Sequence, residues 1–184
     1  MEYLDEVNEN GEPTGRTVER EIAHSNGVRH RTAHVWIIRQ YGGKIQVLLQ
    51  KRSKTKDSYP GCYDISSAGH IPAGSDYKES AIRELKEELG VTASPDDLIY
   101  CGQRKFLVNT SFNGKKFIDN QVSNIYALVL DYDESAFTPD KVEVESVRWF
   151  DFDECFYNVK NNLFSHCIFI EELLMLKDKA THIF

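Results

Sequence analysis

"GHIPAGSDYKESAIRELKEELGV", residues 69–91, carries five carboxylates and a helical apolar pattern, with a glycine near each end. With about 3.6 residues per turn, Glu84, Glu87 and Glu88 fan over roughly 100° of one side of a helix. Like charges at this spacing repel by roughly a few tenths of a kcal/mol, and a bound divalent cation turns that repulsion into attraction. Tyr77, Ala81, Ile82, Leu85 and Leu89 gather on the adjoining flank, so the helix can bury one side and present the other to a cleft. Asp76 and Glu79 have capping-box spacing and Gly90 suits a helix stop, which predicts a helix from near Asp76 to Gly90. Taken alone, E-x-x-E-E is most simply a solvated acidic face, so the surrounding residues decide what it does.

The chain has 184 residues, 41% of them hydrophobic and 28% charged, with a net charge of −7. That composition predicts a single globular domain over 1–184. The acidic balance argues against nucleic acid as the main partner. No apolar run approaches the ~18 residues a bilayer span needs, and "MEYLDEVNENG" lacks the basic and apolar parts of a signal peptide. A cytoplasmic protein with no membrane partner is therefore expected. Cys62, Cys101, Cys155 and Cys167 show no CxxC spacing and read as reduced packing thiols.

Along the chain, "EYLDEVNENGEPTGRTVER" reads as two strands about an Asn-Gly turn, within an N-terminal hairpin extension over 1–30. "EIAHSNG" reads as a short helix and loop. "HRTAHVWIIRQ" and "KIQVLLQKR" form a strand pair broken at Gly42-Gly43, and "SKTKDSYPG" is a basic loop. "CYDISSAG", "LIYCGQRKF", "NQVSNIYALVL" and "EVESVRWFDF" are further strands, and a closing amphipathic helix is expected over 161–179. The fold class that follows is α/β (α+β) with a mixed sheet.

Gly69, five residues, Ser75, seven residues and then "RELKEELGV" resemble the Nudix box, G-x5-E-x7-R-E-U-x-E-E-x-G-U with U aliphatic, at every defined position except Ser75. The resemblance implies the family's α/β/α sandwich and hydrolysis of a diphosphate linked to another moiety. It implies Glu84, Glu87 and Glu88 as ligands of Mg²⁺, with Mn²⁺ as a substitute, or in one case as the base that activates water. It makes Arg83 the residue that orients a glutamate and the Gly69 carbonyl part of the metal shell. The clustered oxygens suit a hard cation on their own chemistry. Ser75 stands where the family has glutamate and removes one acid near the metal. A ligand from outside the box is open among Asp119, Glu143 and Glu145.

"HSNGVRHRTAHVWI", "VLLQKRSKTKDSYPG" and "SSAGH" are similar to the isopentenyl diphosphate isomerase branch of this family, over about Glu2 to Val91. The branch implies a second metal on His24, His30 and His70 with Asp119, and a diphosphate held by Arg52 and Lys56. Its isomerisation needs a cysteine and a glutamate, and here Ala68 stands at the cysteine's place and Gln121 at the glutamate's. The expected function is thus Mg²⁺-dependent hydrolysis of a small-molecule diphosphate, nucleotide-derived or otherwise organic. An isomerase, disfavoured by Ala68, and a non-catalytic ligand-sensing Nudix domain are the alternatives. A homodimer is expected by analogy alone. Phe106, Phe112, Phe117 and Trp149 could stack a base or belong to the core, and the alternation of "VRWF" favours the core for Trp149.

Overall fold

The computed structural model describes residues 1–112 and 114–184. The chain opens with strands β1 (Tyr3–Val7) and β2 (Pro13–Glu19), an antiparallel hairpin, followed by helix α1 (Arg20–Asn26). Gly27 ends α1 in the left-handed region at φ 72°. Then come β3 (His30–Tyr41), β4 (Lys44–Arg52), β5 (Tyr63–Asp64), β6 (Ser67–His70) and helix α2 (Tyr77–Leu89). β7 (Ile99–Phe112), β8 (Lys115–Val129), β9 (Val144–Asp151), α3 (Phe152–Lys160) and α4 (Ile170–Ile183) complete the order.

A sheet runs β5-β4-β3-β8-β7, with β6 added to β3 and β9 to β4. β3 and β8 are parallel while the other pairs are antiparallel, so the sheet is mixed as expected. β3 is buried on both faces, which is why "AHVWII" is a continuous run of buried residues rather than an alternating one. Its alternation divides the core. Ala33, Val35 and Ile37 pack beneath α2 with Leu85 and Leu89, whereas Trp36 and Ile38 face α3 and α4 with Cys155, Leu173 and Leu176. Helices on both faces give the α/β/α sandwich. Each fully buried leucine of these layers contributes on the order of 2 kcal/mol. Cys101 and Cys155 pack in the layer beneath α3 and α4.

α2 forms where the sequence predicts. The Asp76 carboxylate accepts from the Lys78 amide at 2.8 Å, and Gly90, at φ 70°, returns its amide to the Leu85 and Lys86 carbonyls. The C-terminal expectation is corrected: the helix runs Ile170–Ile183 instead of 161–179. Residues 163–169 lie against β5, where the Tyr63 amide donates to the Ser165 carbonyl and the Cys167 amide to the Tyr63 carbonyl, at 2.9 and 3.0 Å. Those backbone groups find partners across the chain, so no helix is needed to satisfy them. The strand expected at "EVESVRWFDF" likewise ends at Asp151, whose side chain caps α3 through the Asp153 and Glu154 amides. β7 continues past Phe106 to Phe112, converting most of "KFLVNTSFNGKKF" into a hairpin. Asn113 of that segment lies outside the described residues. Among the described residues no helix is long and apolar enough to cross a membrane.

Candidate active site

α2 lies along β6, and the contact is close because Gly69 has no side chain: a Cβ there would overlap the Glu84 carboxylate. One turn further on, Glu88 Oε2 accepts from the Ala68 amide at 3.3 Å and from Gln50 Nε2 at 3.4 Å. Arg83 joins the remaining acids, donating to Glu84 Oε1 at 2.6 Å and Glu87 Oε2 at 2.7 Å. Glu84 and Glu88 therefore sit against one short strand, Glu87 is tied to Glu84 through Arg83, and the three differ in exposure. Glu88 is buried, the Glu84 side chain is 17% exposed and the Glu87 side chain 58% exposed.

Burial sets the electrostatics of Glu84 and Glu88. Burial pushes Glu88 up to about 8, helped by the charges of Glu84 and Asp64 and opposed by the Ser67 hydroxyl and the Ala68 amide. Burial also raises Glu84, against the pull of Arg83, with Glu87 and Glu2 adding repulsion. Two acids so placed, with Glu87 beside them, suit a hard cation, which offsets the desolvation cost that otherwise falls on Glu84 and Glu88 when ionised. Of the acids considered from outside the helix, Glu143 is paired with Lys56, Glu145 with Lys51, and Asp119 lies beside the histidines.

His24 on α1, His30 opening β3 and His70 closing β6 come together, with one ligand atom from each lying within 4.8 Å of the others. The Asp119 Oδ1 atom lies 3.7 Å from both His24 Nε2 and His30 Nε2. His30 Nδ1 is held at 2.9 Å by the Val28 carbonyl, which turns Nε2 toward the cluster. Burial lowers His30, and burial followed by the charge of Arg20 lowers His70 well below the ordinary range. Neutral imidazoles keep the lone pairs a metal needs. Among the described residues His30 Nε2 and Asp119 Oδ1 are both buried without a hydrogen-bond partner, so the donor set fits a divalent metal. Gln121, the Cα partner of His30 across the sheet, instead accepts from Thr32 Oγ1 at 3.2 Å.

Arg52 donates through Nε and Nη2 to the Ser58 carbonyl and through Nη1 to Asp64 at 3.0 Å. It thereby folds the basic loop back on itself, and the charge of Glu88 also reaches it. Tyr59, at φ 49°, follows that clamp and meets Phe112, which meets Phe117, which stacks on His24 at 4.7 Å. This aromatic row links the Arg52 loop to the histidines. Phe106 packs instead on Phe169. Trp149 is a core residue as expected, donating to the Tyr132 carbonyl at 3.0 Å beneath Arg39.

Sequence reading missed a buried polar group beside the histidine face. Glu172 of α4, 1% exposed, accepts from His34, Arg104 and Trp36 at 2.9, 2.9 and 3.2 Å. The available signal was the acid in "FIEELL", which falls on the apolar side of the helix.

The family profile described as NUDIX domain matches residues 28–169, and the chain belongs to that family of hydrolases. It is 41% identical over 157 residues to Nudix hydrolase 3 of Arabidopsis thaliana, an alignment covering 83% of this chain and 20% of that protein. The chain thus spans a fifth of that relative's length. It is also 31% identical over 151 residues to an Isopentenyl-diphosphate Delta-isomerase of Escherichia coli, covering 82% of this chain and 77% of that one. Among solved structures, DR0079 from Deinococcus radiodurans superimposes with a TM-score of 0.67 at 19% identity, covering 96% and 98% of the two chains, which supports the fold. Enzymes of this family generally work with a divalent metal.

Proposed function

We propose that the chain hydrolyses a diphosphate linkage in a nucleotide-derived or other organic diphosphate with Mg²⁺, for which Mn²⁺ can substitute. The observation that carries this reading is the seating of Glu84 and Glu88 against β6, with Glu87 tied to Glu84 through Arg83. When bound, the cation neutralises phosphoryl oxygens and acidifies a coordinated water. The residues do the rest. Glu84, Glu87 and Glu88 hold the cation with the Gly69 carbonyl, Arg83 fixes the direction of Glu84 and Glu87, and one of these two acids takes the proton of the attacking water. Lys56, released from Glu143, and Arg52 hold the substrate's charge. His24, His30, His70 and Asp119 hold a second divalent ion.

The isomerase reading needs an acid and a base on opposite faces of an alkene. Ala68 offers no proton, and Gln121 is an amide engaged with Thr32. The intact "RELKEELG" segment argues against a domain that binds without cleaving. A panel of ADP-ribose, dinucleoside polyphosphates, nucleoside diphosphates and isopentenyl diphosphate, assayed with Mg²⁺ for phosphate-containing products, tests the proposal. Glu87→Gln should lower turnover by at least about a hundredfold on whichever compound is cleaved, with the fold intact because Glu87 is exposed. Unchanged turnover in this variant sinks the assignment.

A further inference from the structure

Ser75 is the one defined box position where this chain departs from the pattern, and the structure brings a carboxylate from elsewhere against the backbone beside it. Asp5 of β1 accepts through Oδ2 from the Gly74 amide at 2.9 Å and from Arg31 Nη2 at 2.8 Å. The same Arg31 nitrogen donates to the Ser75 carbonyl at 3.1 Å. Both side chains are nearly buried, 12% exposed for Asp5 and 9% for Arg31, and the Arg31 guanidinium lies over Tyr77, the first residue of α2. Around this pair the backbone is stitched as well. The Ala73 amide donates to the Tyr3 carbonyl at 2.8 Å, the Ile71 amide donates to the Arg31 carbonyl at 3.1 Å, and Leu4 bridges Pro72.

We infer that Asp5, acting through Arg31, is a positioning residue that fixes the segment between β6 and α2 and so stands in for the carboxylate missing at Ser75. That segment is the only covalent path between β6, which carries Gly69, and α2, which carries Glu84 and Glu88. A slip of α2 along β6 by a fraction of a turn would lift Glu84 from Gly69 and Glu88 from the Ala68 amide. At the first turn of α2 Tyr77 is only partly buried against the core, so the polar contacts of the preceding segment add to its hold. One buried ion pair that grips both the loop amide of Gly74 and the carbonyl of Ser75 supplies the missing restraint. Among the described residues Arg31 Nε is buried without a partner, so the guanidinium that holds the Ser75 carbonyl keeps a free donor for an acid introduced at residue 75.

This inference rests on the reading of the box as a metal site, and the test separates the two. Mn²⁺ alone is titrated into the intact chain and followed by electron paramagnetic resonance, the box's share being the binding lost in Glu84→Gln/Glu87→Gln. Asp5→Ala should weaken that share about fivefold or more per folded molecule, and Asp5→Ala/Ser75→Glu should return it to within about twofold of wild type. If Asp5→Ala does not fold, Asp5→Asn, which keeps the side-chain volume, should weaken the share at least about twofold, again reversed by Ser75→Glu. Unchanged affinity in the Asp5 variants, or a loss that Ser75→Glu leaves in place, overturns the inference while sparing the box. No binding lost in Glu84→Gln/Glu87→Gln overturns the box as a metal site and the inference with it.

Discussion

Glu88 makes the metal-free protein sensitive to pH in a direction opposite to that of an ordinary ion-paired acid. Its carboxyl titrates near 4.5 in an unfolded chain and is raised to about 8 in the fold, chiefly by burial. A group raised in this way contributes its stability fully below pH 4.5, and that contribution is lost as pH rises through 8. Each pH unit across the window is worth ~1.36 kcal/mol, so the ceiling is about 5 kcal/mol. Rotation of the carboxylate toward water relieves part of this, leaving an expected fall on the order of 2–5 kcal/mol. In a chain of this size that is a drop in melting temperature of roughly 5–15 °C. Glu88→Gln, which never ionises, should remove the dependence and be more stable than wild type at pH 8 in EDTA. On the proposed function a divalent cation takes the proton's place, so Mg²⁺ should stabilise wild type progressively more from pH 6 to pH 8 and leave Glu88→Gln nearly unmoved. The assay is thermal unfolding at half-unit pH steps with EDTA or Mg²⁺. Parallel wild-type and Glu88→Gln curves in EDTA would refute the reasoning.

Gly69→Ala should abolish detectable turnover, because a Cβ collides with the Glu84 carboxylate; wild-type kinetics in a folded variant would place Glu84 elsewhere. His30→Ala and Asp119→Ala should each lower the Zn²⁺ or Mn²⁺ retained after dialysis by about one equivalent, since both residues carry unpartnered buried atoms in the cluster; unchanged metal content measured by mass spectrometry would dismiss the second ion. Isopentenyl diphosphate should gain no deuterium in heavy water with Mg²⁺, Mn²⁺ or Zn²⁺, since losing a placed general acid typically costs ~10²–10⁴ in rate. Enzyme-dependent label in the NMR spectrum would show that another group supplies the proton.

What was legible in the sequence was local. The ends of α2 are written in Asp76 and Gly90, whose capping acts within a turn, and the gathering of Glu84, Glu87 and Glu88 on one side follows from helical spacing alone, whereas the burial of Glu88 comes from β6. What was not legible depends on distant partners. The 163–169 segment carries enough apolar residues for a helix, but β5, a hundred residues earlier in the chain, offers it backbone partners. The Asp5–Arg31 pair spans β1 and β3, and nothing near Asp5 in sequence announces it. His24, His30 and His70 could be grouped only through a family resemblance, since three different elements deliver them.

β6 explains how one chain can resemble an isomerase and yet carry the parts of a hydrolase. Its four residues alternate. Gly69 faces α2 and admits Glu84, while Ala68 and His70 face the opposite layer, across from His34 and Thr32 on β3. The acids of the box and the histidine cluster are therefore built on opposite sides of the same short strand. A change at residue 68 removes a proton donor from the histidine side without entering the space between Gly69 and Glu84. It leaves the backbone amide of Ala68, on which Glu88 rests, where it was. Chemistry that needs a side chain at 68 can thus be lost while chemistry that needs only its backbone persists. Restoring a thiol by Ala68→Cys should accordingly leave the pH dependence assigned to Glu88 intact, and a shift in that dependence would show that the two sides of β6 are coupled.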